Sequence, residues 1–160
     1  TGASITIHPG FNVKSPPRIL DELVRTGADL NRVVIGHLDT FHDRGLLAEL
    51  ASAGCYLQWD TFGMEETLFG EVGSGSGHTL DVPSDEQRID ALEYVLGLGH
   101  PDKILISHDV FIKSMTSAYG AKGYDHIVIN IVDRLLQRGW HNEQINALLV
   151  DNPGHILTMR

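Results

Sequence analysis

His8, His37 and Asp109 each close a short run of apolar, β-branched residues. The runs are Ala3–His8 (ASITIH), Arg32–His37 (RVVIGH) and Lys103–Asp109 (KILISHD); a further one, Cys55–Asp60 (CYLQWD), ends on an aspartate. Imidazole and carboxylate together form a ligand set for Zn²⁺, Mn²⁺, Fe²⁺ or Co²⁺. In parallel α/β folds the functional residues collect at the C-terminal ends of strands, which gives these positions weight beyond composition. A lone strand-end histidine is more often a hydrogen-bonded structural residue. Three such groups at strand ends shift the balance toward a metal site, and pattern alone leaves both readings open. His8, His37 and Asp109 are the candidate ligands, with Asp109 the candidate catalytic group. Asp39 and Asp60 lie nearby in sequence and are candidates for orienting an imidazole from behind.

The remaining histidines take the plainer reading. His42, His78 and His100 fall in loops, His126 and His141 at helix starts, and His155 near the end. His108 precedes Asp109, and strand alternation turns it the opposite way, toward the helices. Trp59, Phe62, Tyr119 and Trp140 are candidates to line a substrate pocket. For Trp59 and Phe62 pocket and core are balanced readings, and Trp140 is expected to pack between the last two helices. Cys55 is the single cysteine, so no intrachain disulfide forms; it reads as a buried structural thiol in a reducing, cytoplasmic setting. There is no Gly-x-Ser-x-Gly elbow and no phosphate loop, and Gly73, Gly75 and Gly77 do not join a strand to an immediate helix.

The elements that must position these groups alternate. Helical patterns span Pro16–Thr26, Asp43–Ala53, a segment opened by the capping box Ser84–Gln87 and closing near Gly97–Gly99, then Tyr124–Gln137 and Asn142–Val150. Helical crossovers between near-continuous apolar strands predict a parallel sheet. Gly70–Gly77 (GEVGSGSG) reads as a loop over the site, or equally as a surface insert. The 160 residues suit one domain with a core but fall short of the roughly 250 of a complete (β/α)8 barrel. The chain opens on Thr1, almost directly on a strand, as a chain cut in mid-fold would. A formal charge of −9 argues against nucleic acid and anionic membrane as partners, and no apolar run approaches the roughly 20 residues of a membrane span.

Four segments, in order and across essentially the whole chain, resemble the phosphotriesterase family of the amidohydrolase superfamily. They are Thr6-Ile7-His8-Pro9-Gly10, Val33-Val34-Ile35-Gly36-His37-Leu38-Asp39, Ile106-Ser107-His108-Asp109 and Val150-Asp151-Asn152-Pro153. The resemblance implies the C-terminal half of a TIM barrel, strands five to eight with their helices, as one partial domain over residues 1–160. It implies two divalent cations, zinc first among them. His8 and His37 would bind the more exposed ion. Asp109 would bind the more buried one and take a proton from an attacking, metal-bridging hydroxide. The bond cleaved would be an ester, lactone, amide or phosphotriester bond of a small-molecule substrate.

The same family needs a His-x-His pair and a lysine on earlier strands. This chain has no His-x-His, and none of Lys14, Lys103, Lys113 and Lys122 ends a fourth strand. An N-terminal half-barrel, in the same or another chain, is therefore an expected partner, and a homodimer is a further one. Two other readings stand beside it. One is a non-catalytic, barrel-derived binding protein without a complete metal site. The other is a stand-alone flavodoxin-like domain with helices on both faces of its sheet.

Overall fold

The computed structural model describes residues 2–65 and 82–159. The Gly70–Gly77 tract and His78 lie outside the described residues. Four strands, β1 (Ile5–Ile7), β2 (Val33–Ile35), β3 (Tyr56–Trp59) and β4 (Ile104–Ile106), form one sheet in chain order. Every pairing is parallel, with Ile7 opposite Ile35, Ile35 opposite Leu57 and Trp59 opposite Ile106. The strands are shorter than the apolar runs that signal them, and each ends before the polar residue that closes its run.

Between the strands run α1 (Ser15–Arg25), α2 (Arg44–Ala53) and α3 (Asp85–Gly97). The local chemistry sets their ends. Asp43 accepts from the amides of Gly45 and Leu46 to start α2, and Gly54, at φ 86°, stops it. Ser84 and Gln87 form the expected reciprocal cap on α3. After β4, a π turn (Ile127–Ile131) leads into α4 (Val132–Gln137), followed by α5 (Asn142–Asn146).

The terminal helix does not stop at Val150 as expected. A second π turn (Ala147–Asp151) carries it into α6 (Asn152–Leu157). Pro153 lacks an amide and would clash with the carbonyl four residues back in a regular helix. The wider turn, closed by the Asn152 amide on the Ala147 carbonyl, relieves that conflict. The Asn152 side chain then donates to the carbonyls of Pro101 and Ile104, tying this helix to the start of β4.

The two sheet faces differ. Val33, Ile35, Leu57, Trp59 and Ile104 pack into one core with α1 through α5. Val34, Tyr56 and Leu105 turn the other way and cluster with Ile156 of α6. Among the described residues α1 through α5 layer one face and α6 reaches the other, and the strands run in chain order without the reversal of a doubly wound, flavodoxin-like sheet. β1 and β4 are the sheet edges, and Ile5 on β1 remains 47% exposed. Among the described residues no helix is long and apolar enough to cross a membrane.

Candidate active site

His8 follows β1 by one residue and His37 follows β2 by two. Parallel pairing in register brings these neighbouring ends side by side, and the two imidazoles meet edge to face with centroids 4.3 Å apart. His8 also packs against Phe11 at 5.5 Å, and its Nδ1 accepts from the Gly10 amide at 3.0 Å. His37 and Asp109 are the non-glycine residues with positive φ among the described residues, at 51° and 47°. Histidine and aspartate are among the few side chains that enter this left-handed region with modest strain. The backbone turns sharply at both, redirecting each side chain at the rim.

His37 is held from behind by Asp60. The imidazole Nδ1 lies 2.8 Å from Asp60 Oδ1, and the His37 amide donates to the same carboxylate at 3.0 and 3.2 Å. An ionised carboxylate only accepts, so Nδ1 carries the proton and Nε2 is left with its lone pair. The Asp60 hydrogen bond raises the His37 pKa above the ordinary histidine value, with burial opposing. Gly36 makes room for this contact: a Cβ there would lie 3.0 Å from Asp60 Oδ2 and 3.4 Å from the Ile7 carbonyl.

Asp39 is bonded to Asp60 and Arg88 rather than to the His37 imidazole. One of its oxygens accepts from the Asp60 amide at 2.9 Å and the other from Arg88 Nε at 2.6 Å. Burial and the neighbouring Asp60 carboxylate push its pKa up against the pull of Arg88. Asp39 thus acts one step behind the orienting role expected for it.

Asp109 is half-buried. Burial raises its pKa, and Asp60 adds to the rise, while His37 and His8 pull the other way, so all four groups share one electrostatic neighbourhood. His108 does turn toward the helices, where its Nε2 accepts from the Ile127 amide at 3.0 Å. Burial and the charge of His126 lower its pKa.

Of the two balanced readings for Trp59 and Phe62, burial supports the core: each is 1% exposed and belongs to the apolar cluster, while Trp59 also borders a hollow with Leu38, Asp39 and Arg88. Tyr119 is 56% exposed, with Lys113 Nζ 5.0 Å from its ring centre. Trp140 packs in the core as expected, its Nε1 donating to Glu93 of α3 at 3.3 Å. Cys55 is buried, and desolvation raises its pKa to about 11, as fits an inert thiol.

Three buried residues escaped the sequence reading. Arg88 and Asp85 of α3 form an ion pair at 2.9 Å, and Asp85 bonds His126 Nε2 at 2.7 Å. Burial pushes the Asp85 pKa up, but His126, the Gly63 amide and Arg88 outweigh it and hold it below the ordinary carboxylate range. A signal was present: Arg88 stands four residues before Leu92 and seven before Val95, on the apolar stripe of α3.

A parallel α/β sheet with a histidine pair at adjacent strand ends defines a class of strand-end sites. A model of the phosphotriesterase family matches residues 1–157, and the chain belongs to that family. It is 42% identical over 163 residues to the N-acetyltaurine hydrolase of Dictyostelium discoideum, covering 99% of this chain and 42% of that protein. It is also 42% identical to the phosphotriesterase-related protein of Nematostella vectensis, covering 100% of this chain and 45% of that one. Among solved structures, a resiniferatoxin-binding protein from Rhodobacter sphaeroides superposes with a TM-score of 0.87 at 30% identity, over 100% of this chain and 44% of that one. The phosphotriesterase homology protein from Escherichia coli, complexed with phosphate in its active site, gives 0.84 at 26% identity, over 99% and 49%. The chain spans less than half the length of these relatives.

Proposed function

We propose that this chain is the C-terminal half of a metal-dependent hydrolase barrel, contributing strands five to eight and part of a site for two divalent cations. His8 and His37 would hold one cation, and Asp109 the other. The observation that carries this is the paired imidazoles at 4.3 Å, one of them fixed by a carboxylate on its far nitrogen. Carboxylate-backed histidine is the usual support of a metal-binding imidazole, because it fixes the tautomer and ring direction.

The donor set fits such ions in chemistry. With Nδ1 engaged by Asp60, the lone pair that His37 offers a cation is on Nε2. The lone pair of His8 is on Nδ1, where a cation would displace the Gly10 amide. Among the described residues no group of three or more His, Cys, Asp and Glu side chains is arranged to hold a metal ion by itself. When bound, the cations supply Lewis acidity and make water a nucleophile near neutral pH. Asp109, a half-buried carboxylate in the same neighbourhood as both imidazoles, would accept the proton released as that water attacks. His37 would stay fixed in direction by Asp60 throughout.

The substrate class favoured by the relatives' names is an N-acyl amide of a small acidic amine, ahead of lactones and phosphotriesters. In the full-length protein, chelation is expected to abolish amide hydrolysis, and His37→Asn, which keeps the left-handed turn, to remove one metal equivalent by elemental analysis. Unchanged metal stoichiometry in that variant would overturn the assignment. The likeness to a resiniferatoxin-binding protein supports a second reading, a binding protein that keeps the fold without the reaction. Tight ligand binding with no turnover at saturating zinc would favour it.

A further inference from the structure

We propose that Arg88 is a positioning residue for the candidate site, aligning His37 on one side and the Asp109 turn on the other through a single buried guanidinium. The inference rests on reading His37 as a metal ligand. Arg88 comes from α3, touches neither residue, and is fully enclosed. Its Nε donates to Asp39 at 2.6 Å and to Thr61 Oγ1 at 3.2 Å. One terminal nitrogen donates to Asp85 at 2.9 Å and the other to Thr61 at 2.8 Å.

Two arms leave this hub. In the first, Asp39 uses its second oxygen to hold the Asp60 amide, and Asp60 holds His37 by ring and backbone. In the second, Asp85 uses its second oxygen on His126 Nε2, and Asn130 occupies His126 Nδ1 at 3.0 Å. The amide next to His126, that of Ile127, donates to His108, whose chain neighbour is Asp109. The loops after β2, β3 and β4 are therefore indexed to one rigid, planar group.

Stability alone is a weak reason to bury such a cluster, since apolar replacement of buried ion networks is often neutral or favourable. A planar fork that fixes three partners in direction is what arginine offers and lysine does not. Asp39 must serve Arg88 and the Asp60 amide at once, which takes both carboxylate oxygens.

The test uses the full-length protein, with ¹⁵N-histidine spectra recorded metal-free at alkaline pH and zinc affinity measured by titration. The wild-type protein is expected to show His37 with its proton on Nδ1. In Arg88→Lys and Asp39→Asn the proton should divide between the two nitrogens, and the zinc Kd should rise about tenfold or more. Arg138→Gln, which breaks a surface ion cluster between α3 and α4, should move neither. A folded Arg88 or Asp39 variant with the wild-type spectrum and Kd would overturn the proposal. So would equal changes in Arg138→Gln, or failure of both buried variants to fold, either of which would make the network one of stability only. If the wild-type protein binds no zinc, the metal reading fails while the tautomer spectra still decide the role of Arg88.

Discussion

Asp60 grips His37 at two points, Oδ1 on the imidazole Nδ1 at 2.8 Å and Oδ2 on the backbone amide at 3.0 Å. The residues are 23 apart in sequence and belong to the ends of adjacent strands. Ring direction and backbone turn are thereby set by one carboxylate. The imidazole so held packs edge to face against the neighbouring His8 ring.

Asp60→Asn is the direct probe of that grip. The amide keeps the volume but offers one acceptor oxygen for two donors. Metal affinity of the full-length protein is expected to fall about 10- to 100-fold, with stoichiometry restored at saturating metal. Competition titration against a chromophoric chelator measures it, and an unchanged affinity would detach Asp60 from the site.

Gly36→Ala tests the space beside the carboxylate. The new methyl carbon would stand 3.0 Å from Asp60 Oδ2 and 3.4 Å from the Ile7 carbonyl, tighter than ordinary contact. Asp60 must then move. We expect a loss of about 1–3 kcal/mol in stability by urea unfolding. Weaker metal binding should accompany it, whereas Gly45→Ala, near the exposed α2 cap, should spare the metal.

The Asp85 carboxylate predicts a pH dependence. Its folded-state pKa is lowered, so its contribution to stability is complete above the ordinary aspartate value. That contribution is lost as pH falls through the depressed folded value. At neutral pH Asp85→Asn should cost about 3–5 kcal/mol, because Arg88 and His126 lose a buried partner. The gap between wild type and variant should close only below the usual carboxylate range. Urea unfolding across acid pH checks this; a gap that closes near neutrality would contradict the assignment.

Cys55 should be inert in the native protein. It has no exposed surface and a pKa raised to about 11, so little thiolate forms near neutral pH. Reaction with a thiol reagent is expected to be at least 100-fold slower than in denaturant, followed by absorbance.

Much of the site was legible because strand periodicity and strand ends are local signals. The runs ending in His8, His37 and Asp109 announced both the parallel sheet and the residues at its rim. His108 was correctly turned outward by alternation alone. Arg88 was missed because a charge within a helix ordinarily faces water, and its stripe position records burial without naming a partner. The partners, Asp39 and Thr61, arrive from loops 49 and 27 residues away. Trp59 and Phe62 sit where core and rim meet, and only their packing into the shared apolar core decides between the readings. Pro153 marked a stop that the π turn circumvents, which no propensity scale weighs.

The left-handed backbone at His37 and Asp109 changes how substitutions there should be interpreted. Most side chains pay about 1–2 kcal/mol to enter that region, and β-branched ones are excluded in practice. An alanine or valine scan would therefore confuse a broken turn with a lost ligand. Asparagine shares the tolerance for this conformation, and glycine has no barrier to it. His37→Asn and Asp109→Gly are thus the replacements that would leave the bend of the main chain intact while silencing the donor atom.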